Sequence, residues 1–306
     1  LFLVGLKLDV GLIRSLGAVA VVAGLGQMAL STGLGMALAM ALGLEALQAF
    51  YVALALGFSS TIIIVKLLSD KREIDALHGR LALGILIVQD IAVVAAMVVV
   101  AALGGAEAGG HGADPLLLVG GALAMLGVVW VFVRWLAAPL LAQIARAPEL
   151  VVIFAVGWAA GFAAMADVIG LGKELGGLAA GISLASTPFR DAIGARLAPL
   201  RDFLLLFFFL SLGAGLQLDG LAAQLLPALA LSAFVLIGKP LIVTGLAMLM
   251  GYRSRTGFLA GVTLGQISEF SLIFVAMGVA GGLLPESAGS LVTLVALITI
   301  ALSVYA

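Results

Sequence analysis

The chain contains no cysteine, so disulfides and thiolate metal centres are excluded. It has two histidines, His78 and His111, both in segments that read as loops, which argues against a histidine-rich metal site. Charge is scarce: Asp, Glu, Lys and Arg make up 10% of the 306 residues, against about a quarter in soluble domains. A water-facing surface cannot be built from so few charges. The formal net charge of -1 comes with no basic tail, so nucleic acid is not an expected partner. An initiating methionine is missing too. "LFLVGLKLD" starts partway through an apolar segment, which reads as a truncated start and not as a signal peptide with its charged leading region.

What the chain does have is apolar sequence from end to end, 64% of it hydrophobic, with 40 glycines. Small residues let membrane helices approach closely, and the expected class is an all-α polytopic membrane protein. With about 20 apolar residues needed per span, the sequence reads as a partial helix at 1–8 followed by ten full ones. These fall near 16–42, 47–68, 77–103, 115–137, 149–166, 170–187, 199–217, 222–250, 256–281 and 287–306.

Loop charge orients these spans, because cytoplasmic loops collect Lys and Arg. One set of alternate loops carries thirteen of them, from Lys7 and Arg14 through Lys66, Lys71, Arg72 and Arg80 to Arg253 and Arg255. The opposite set carries only Lys173, with acids such as Glu45, Glu107, Asp114 and Glu286. The basic side is therefore expected in the cytoplasm, together with the C-terminus, in a plasma (inner) membrane.

The opening "LFLVGLKLD" has an echo in "FFFLSLGAGLQLD" at 207–219, each ending Gly-Leu-x-Leu-Asp. By the loop count Asp9 and Asp219 lie on opposite sides, so the copies are inverted, as in many secondary transporters. A short Gly/Leu match can also arise by chance. Three helices follow each copy, and both sets carry polar interruptions at corresponding places: "GFSSTIIIVK" at 57–66 and "LGQISEFSLIF" at 264–274. Interrupted helices in matching positions point to a transport site.

Three charged residues lie well inside predicted spans: Asp90, Lys239 and Glu269. Each costs about 2.5–3.5 kcal/mol on insertion scales, so they are expected to face one another or water. Asp90 and Lys239 could instead be a structural ion pair, and Glu269 could bridge backbone freed by a helix break. Ser59, Ser60 and Thr61 could be hydroxyls bonded back to their own helix. Gln89 draws interest because it adjoins Asp90. A carboxylate in a partly wet cavity can hold a proton or an alkali cation but not both well, since burial disfavours its charge and a nearby ammonium favours it. Carbonyls and hydroxyls of the broken helices would add hard oxygen ligands, and Lys239 would hold Asp90 when no cation is bound. Competition at one carboxylate suffices to couple opposed fluxes.

"LFLVGLKLD", "GFSSTIIIVKLLSDKREIDALHGRLALGILIVQDIAVV", "GLGKELGGLAAGISLASTPFR", "LFFFLSLGAGLQLD" and "LGQISEFSLIF" together resemble the monovalent cation:proton antiporter-2 family. The likeness is closest to Kef-type potassium:proton antiporters and runs through the chain in order. It implies an inverted-repeat sodium/proton-antiporter fold with two crossed discontinuous helices, of which this chain lacks the first two helices. It implies a homodimer and a single transmembrane domain over 1–306. Mobile core units would lie at about 16–103 and 222–306, with scaffold helices at about 1–8 and 115–217.

By the same resemblance, Asp90 matches the ion- and proton-binding aspartate, with Gln89, Ser59, Ser60 and Thr61 around it. Lys239 matches the lysine that faces it, and Gln266, Ser268 and Glu269 mark the second broken helix. Sodium-selective members carry two adjacent aspartates where this chain has Gln89 then Asp90, which favours K⁺ over Na⁺. The implied function is K⁺ or Na⁺ exchange for H⁺ across the bilayer by elevator-like alternating access. No cofactor, resident metal or catalytic residue is expected, and a regulatory soluble domain would lie outside this chain. The competing readings are a ligand-gated cation channel, a non-transporting membrane sensor and an intramembrane enzyme. The last would need a nucleophile–base or metal set.

Overall fold

The computed structural model describes residues 2–7, 18–108, 120, 124–125, 127–136, 140, 143–144, 147–169, 173–185, 187–214 and 221–303. Its helices in chain order are α1 (Phe2–Lys7), α2 (Ala18–Ala41), α3 (Ala46–Gly57), α4 (Thr61–Asp70), α5 (Leu77–Ala108), α6 (Pro148–Ile169), α7 (Lys173–Ala185) and α8 (Arg190–Ala214). The series continues with α9 (Leu221–Ala233), α10 (Lys239–Leu249), α11 (Ser254–Thr263), α12 (Glu269–Ala280) and α13 (Glu286–Ser303). Two π-helical turns, Phe132–Leu136 and Phe234–Gly238, complete the described elements.

Among these residues five helices are long and apolar enough to cross a membrane: Val19–Ala41, Leu77–Met97, Glu149–Ile169, Gln224–Leu249 and Glu286–Ser303. This is a multi-pass, all-helical membrane protein. The spans expected at 47–68 and 256–281 are each split into two short helices, α3/α4 and α11/α12, as their polar interruptions predict. The helix expected from 199 starts at Arg190 instead. Hydropathy marks only the apolar part, while the turns carrying Arg190, Asp191 and Arg196 continue the helix on the N-terminal side of Pro199. Residues 115–119, 121–123, 126 and 137 of the span expected at 115–137, the loop residues Arg14, His111, Asp114 and Arg146, and the repeat-motif ends at Asp9 and Asp219 lie outside the described residues.

The chain divides into two compact units, one of Leu1–Ser15 with Val98–Ala214 and one of Leu16–Met97 with Gly215–Ala306. In the first, α7 packs against α1 and α6. The α1–α7 approach is backbone to backbone: a Cβ on Gly181 would lie 2.1 Å from the Phe2 carbonyl, and one on Gly5 2.4 Å from that of Leu178.

The second unit repeats one plan twice. A long helix (α2, or α9 running into α10), a broken helix (α3/α4, or α11/α12) and a further long helix (α5, or α13) follow in order. α3 packs on α2, and α11 packs on α10. α12, the second half of one broken helix, packs against α3, the first half of the other, so the two broken helices meet. Phe58 and Tyr51 both meet the Phe274 ring, at centroid distances of 5.9 and 5.6 Å, and so join the two.

The helix from Leu221 to Leu249 widens to a π turn just before Lys239. Pro240 supplies the cause, because it has no N–H and its ring crowds the carbonyl four residues back. The Lys239 N–H bonds the carbonyl of Phe234, five residues back. Such turns are frequent at functional sites.

Candidate ion-binding site

The first break follows from local chemistry. α3 ends at Gly57, and Phe58 takes extended backbone at φ −77° and ψ 145°. Ser59 and Ser60 are short hydroxyl residues that compete with the helix ladder. The Ser60 hydroxyl accepts from the Ile63 N–H at 3.4 Å and so helps start α4. At the second break Ser268 is the N-cap of α12, with its hydroxyl accepting from the Phe270 N–H at 3.2 Å.

A helix end leaves its last four carbonyls without intrahelical partners, and in lipid none can turn to water. At the end of α3 side chains from other helices serve them. Ser271 Oγ of α12 donates to the Ala55 carbonyl at 2.6 Å. Lys239 Nζ of α10 donates to Leu56 at 3.2 Å and Phe58 at 3.0 Å. Gln27 Nε2 of α2 donates to Gly57 at 3.3 Å. Between the two broken helices, Ser59 Oγ donates to the Leu264 carbonyl at 3.1 Å, and Lys239 reaches Gln266 at 3.4 Å.

Lys239 is fully buried, and an ammonium has three donors. All three go to backbone carbonyls at the C-terminal ends of α3 and α11, where the helix dipoles are negative. The sequence reading expects Lys239 to face Asp90, and the hydrogen bonds described here add that Lys239 ties the backbone of the two breaks together. The carbonyls of Ala55, Leu56, Gly57 and Phe58 each receive a side-chain donor and keep a second lone pair.

Asp90 lies on α5, half-buried, beside the start of α4. Thr61 Oγ1 is 3.1 Å from each of its carboxylate oxygens, Oδ1 and Oδ2. Here an acid sits at a helix N-terminus, which its dipole favours. Gln89, next along α5, is buried and accepts from the Ser59 N–H at 2.9 Å through Oε1. Its Nε2 donates to Gln27 Oε1.

Glu269 is buried at 6% exposure in the first turn of α12, with Ser268 Oγ 3.5 Å from its Oε2. Among the described residues its Oε1 has no hydrogen-bond partner. Gln266 Oε1 accepts from Ser303 Oγ at 2.7 Å.

The structure therefore gathers the sequence candidates into two clusters. Asp90, Thr61, Gln89, Ser59 and Ser60 surround the first break, while Gln266, Ser268 and Glu269 surround the second, and Lys239 bonds to backbone of both. Sequence reading missed Gln27, Ser271 and Ser303. Gln27 did leave a signal, as an amide in the middle of the apolar run "AVAVVAGLGQMALSTGLGMALAMA", but a search confined to charged residues passes over it.

Two successive sets of a long, a broken and a long helix, whose breaks meet at the buried Lys239, are the arrangement of an all-α secondary transporter of the sodium/proton-antiporter type. The family model for "Sodium/hydrogen exchanger, transmembrane" matches residues 1–306, and the chain belongs to that family. It is similar to YbaL of Escherichia coli strain K12, at 29% identity over 99% of this chain and 56% of that protein. It is also similar to the iron transporter MagA of Paramagnetospirillum magneticum, at 31% identity over 99% of this chain and 70% of MagA. A third relative is the glutathione-regulated potassium-efflux system protein KefC of Salmonella heidelberg, at 32% identity over 97% of this chain and 48% of KefC. The chain thus spans about half the length of YbaL and KefC.

Proposed function

We propose that this chain is the transmembrane part of an antiporter that exchanges a monovalent cation, K⁺ in preference to Na⁺, for H⁺. The observation that carries this reading is the Asp90 carboxylate held against the Thr61 hydroxyl at the first helix break. A carboxylate there can take a proton or an alkali ion, and binding one displaces the other. Thr61 is an oxygen ligand suited to a hard cation and a donor suited to the empty carboxylate. Lys239 and Glu269 set the field around that exchange from where the two breaks meet.

The unit of 16–97 and 215–306 would be the mobile core, moving against the other unit and a second copy of the chain in an elevator-like cycle. The division of the chain into two compact units supports this reading. The loop-charge bias supports a cytoplasmic C-terminus and an inner-membrane location.

The test is flux in proteoliposomes with K⁺, Na⁺, Li⁺ and Rb⁺ compared across pH, and with ferrous iron included because MagA is named an iron transporter. Cation-driven proton movement by the wild type and none by Asp90→Asn is the expected result. Full exchange by Asp90→Asn would remove Asp90 as the carrier, and unitary currents far above transporter turnover would replace the antiporter with a channel.

A further inference from the structure

Gln27 belongs to none of the charged groups, and the exchange described above makes no use of it. Yet it is fully buried at 0% exposure, in the interior of α2. Its Nε2 donates to Ser31 Oγ at 2.9 Å and to the Gly57 carbonyl at 3.3 Å, and its Oε1 accepts from Gln89 Nε2. Gln89 Oε1 then accepts from the Ser59 N–H at 2.9 Å. The donors and acceptors along this chain fix both amides, since turning Gln89 over would set its NH₂ against the Ser59 N–H and its oxygen against that of Gln27. The packing enforces the same arrangement. One turn before Gln27, a Cβ on Gly24 would lie 2.6 Å from the Cβ of Val88, the residue preceding Gln89. The absence of a side chain there is what lets the two amides meet.

We infer that Gln27 is a positioning residue that sets the cation preference of the Asp90 site by acting through Gln89. It holds the Gln89 oxygen on the first break and out of the cation's ligand set. Without Gln27, the Gln89 Nε2 loses its acceptor and the Ser59 N–H alone holds the amide, so the amide can turn and bring its oxygen toward Asp90 as an additional neutral ligand. An added oxygen changes how the site discriminates between ions of different radius, and that discrimination differs from the overall transport rate. The inference rests on the proposed antiport function.

The experiment measures half-saturating K⁺ and Na⁺ concentrations and maximal rates from cation-driven pH-gradient collapse in proteoliposomes. Gln27→Leu, close to the native volume, is expected to shift the Na⁺/K⁺ ratio of half-saturating concentrations by about fivefold or more, with maximal rate within about twofold. Gln27→Asn keeps an amide but is one methylene too short to span both partners, and is expected to shift the ratio in the same direction. It serves equally where Gln27→Leu does not reach the membrane folded. In a Gln89→Leu background, adding Gln27→Leu should move the ratio by less than about twofold, because the intermediary is already gone. Where the double variant is too slow to assay, the ratio is read from cation-induced rises in melting temperature. An unchanged ratio in both Gln27 variants, an equal change for both ions, or effects fully additive with Gln89→Leu would each overturn the role. A wild type with no cation-driven proton movement would instead sink the antiporter reading beneath it.

Discussion

At the first helix break the carbonyls of Ala55, Leu56, Gly57 and Phe58 are served by α12, α10 and α2, and the nearest carboxylate, Asp90, comes from α5. At the second break the carboxylate is built in: Glu269 occupies the first turn of α12, with Oε1 unpartnered among the described residues. The first arrangement separates the titratable group from the backbone that frames it. Asp90 can change its ligand while the orphaned carbonyls keep their donors. In the second, the acid and the helix end are a single element, so any change of charge on Glu269 acts directly on the α12 terminus. A position where charge must come and go is better supplied by the first.

The difference between the breaks is open to direct attack, and Lys239→Met would strike hardest. It leaves the carbonyls of Leu56, Phe58 and Gln266 without a donor, each costing about 1–3 kcal/mol. We expect loss of the folded state or a large fall in melting temperature in detergent. A melting temperature within a few degrees of wild type would mean that water or another donor takes over at both breaks. Thr61→Val comes next. A hydrogen bond to a charged group is worth about 1.5–3 kcal/mol, so the melting temperature of the cation-free protein should fall, and half-saturating cation should rise because an oxygen ligand is lost. Ser271→Ala removes one of two donors to the Ala55 carbonyl, which keeps the Phe58 N–H, and should cost about 0.5–1.5 kcal/mol of stability with cation affinity unchanged. Smallest of all should be Glu269→Gln, which removes a buried charge whose Oε1 has no partner among the described residues. Its stability should stay within about 1 kcal/mol of wild type, and cation-driven proton movement should persist. Loss of exchange in Glu269→Gln, with Asp90 intact, would collapse the contrast between the two breaks.

Much of this was legible in the sequence for a simple reason: in lipid, hydropathy and hydrogen-bond satisfaction leave few alternatives. The apolar runs gave α2, α6, the α9–α10 helix and α13 to within a few residues. The Gly-Phe-Ser-Ser and Gly-Gln-Ile-Ser clusters marked both breaks, because small and hydroxyl residues do not hold a helix there. The expense of Asp90, Lys239 and Glu269 singled them out. What stayed hidden was where their hydrogen bonds go. The bonds from Lys239 to the carbonyls of Leu56, Phe58 and Gln266 could not be read there, because sequence shows charges but not orphaned carbonyls. Those exist only once two helices end at the same place in space. Gln27 stayed hidden because a neutral amide carries no charge to flag it, and its meaning depends on Gly24 meeting Val88, 64 residues further along the chain. The early start of α8 at Arg190 was missed because hydropathy marks only the apolar part of a helix.

The π turn at Phe234–Gly238 fits one more residue into its coil than an α-helical turn would. That surplus residue offsets the phase of Lys239 and everything after it by about 100°, one residue's rotation in a helix of 3.6 per turn. Removing one residue from Phe234–Gly238 should therefore let the segment tighten to α and keep both flanking faces in register. The same deletion elsewhere in α9 or α10 would rotate one flank away from its neighbours. Within this long transmembrane rod, then, shortening by one is forgiven at a single place, and a deletion scan read by expression level would find it.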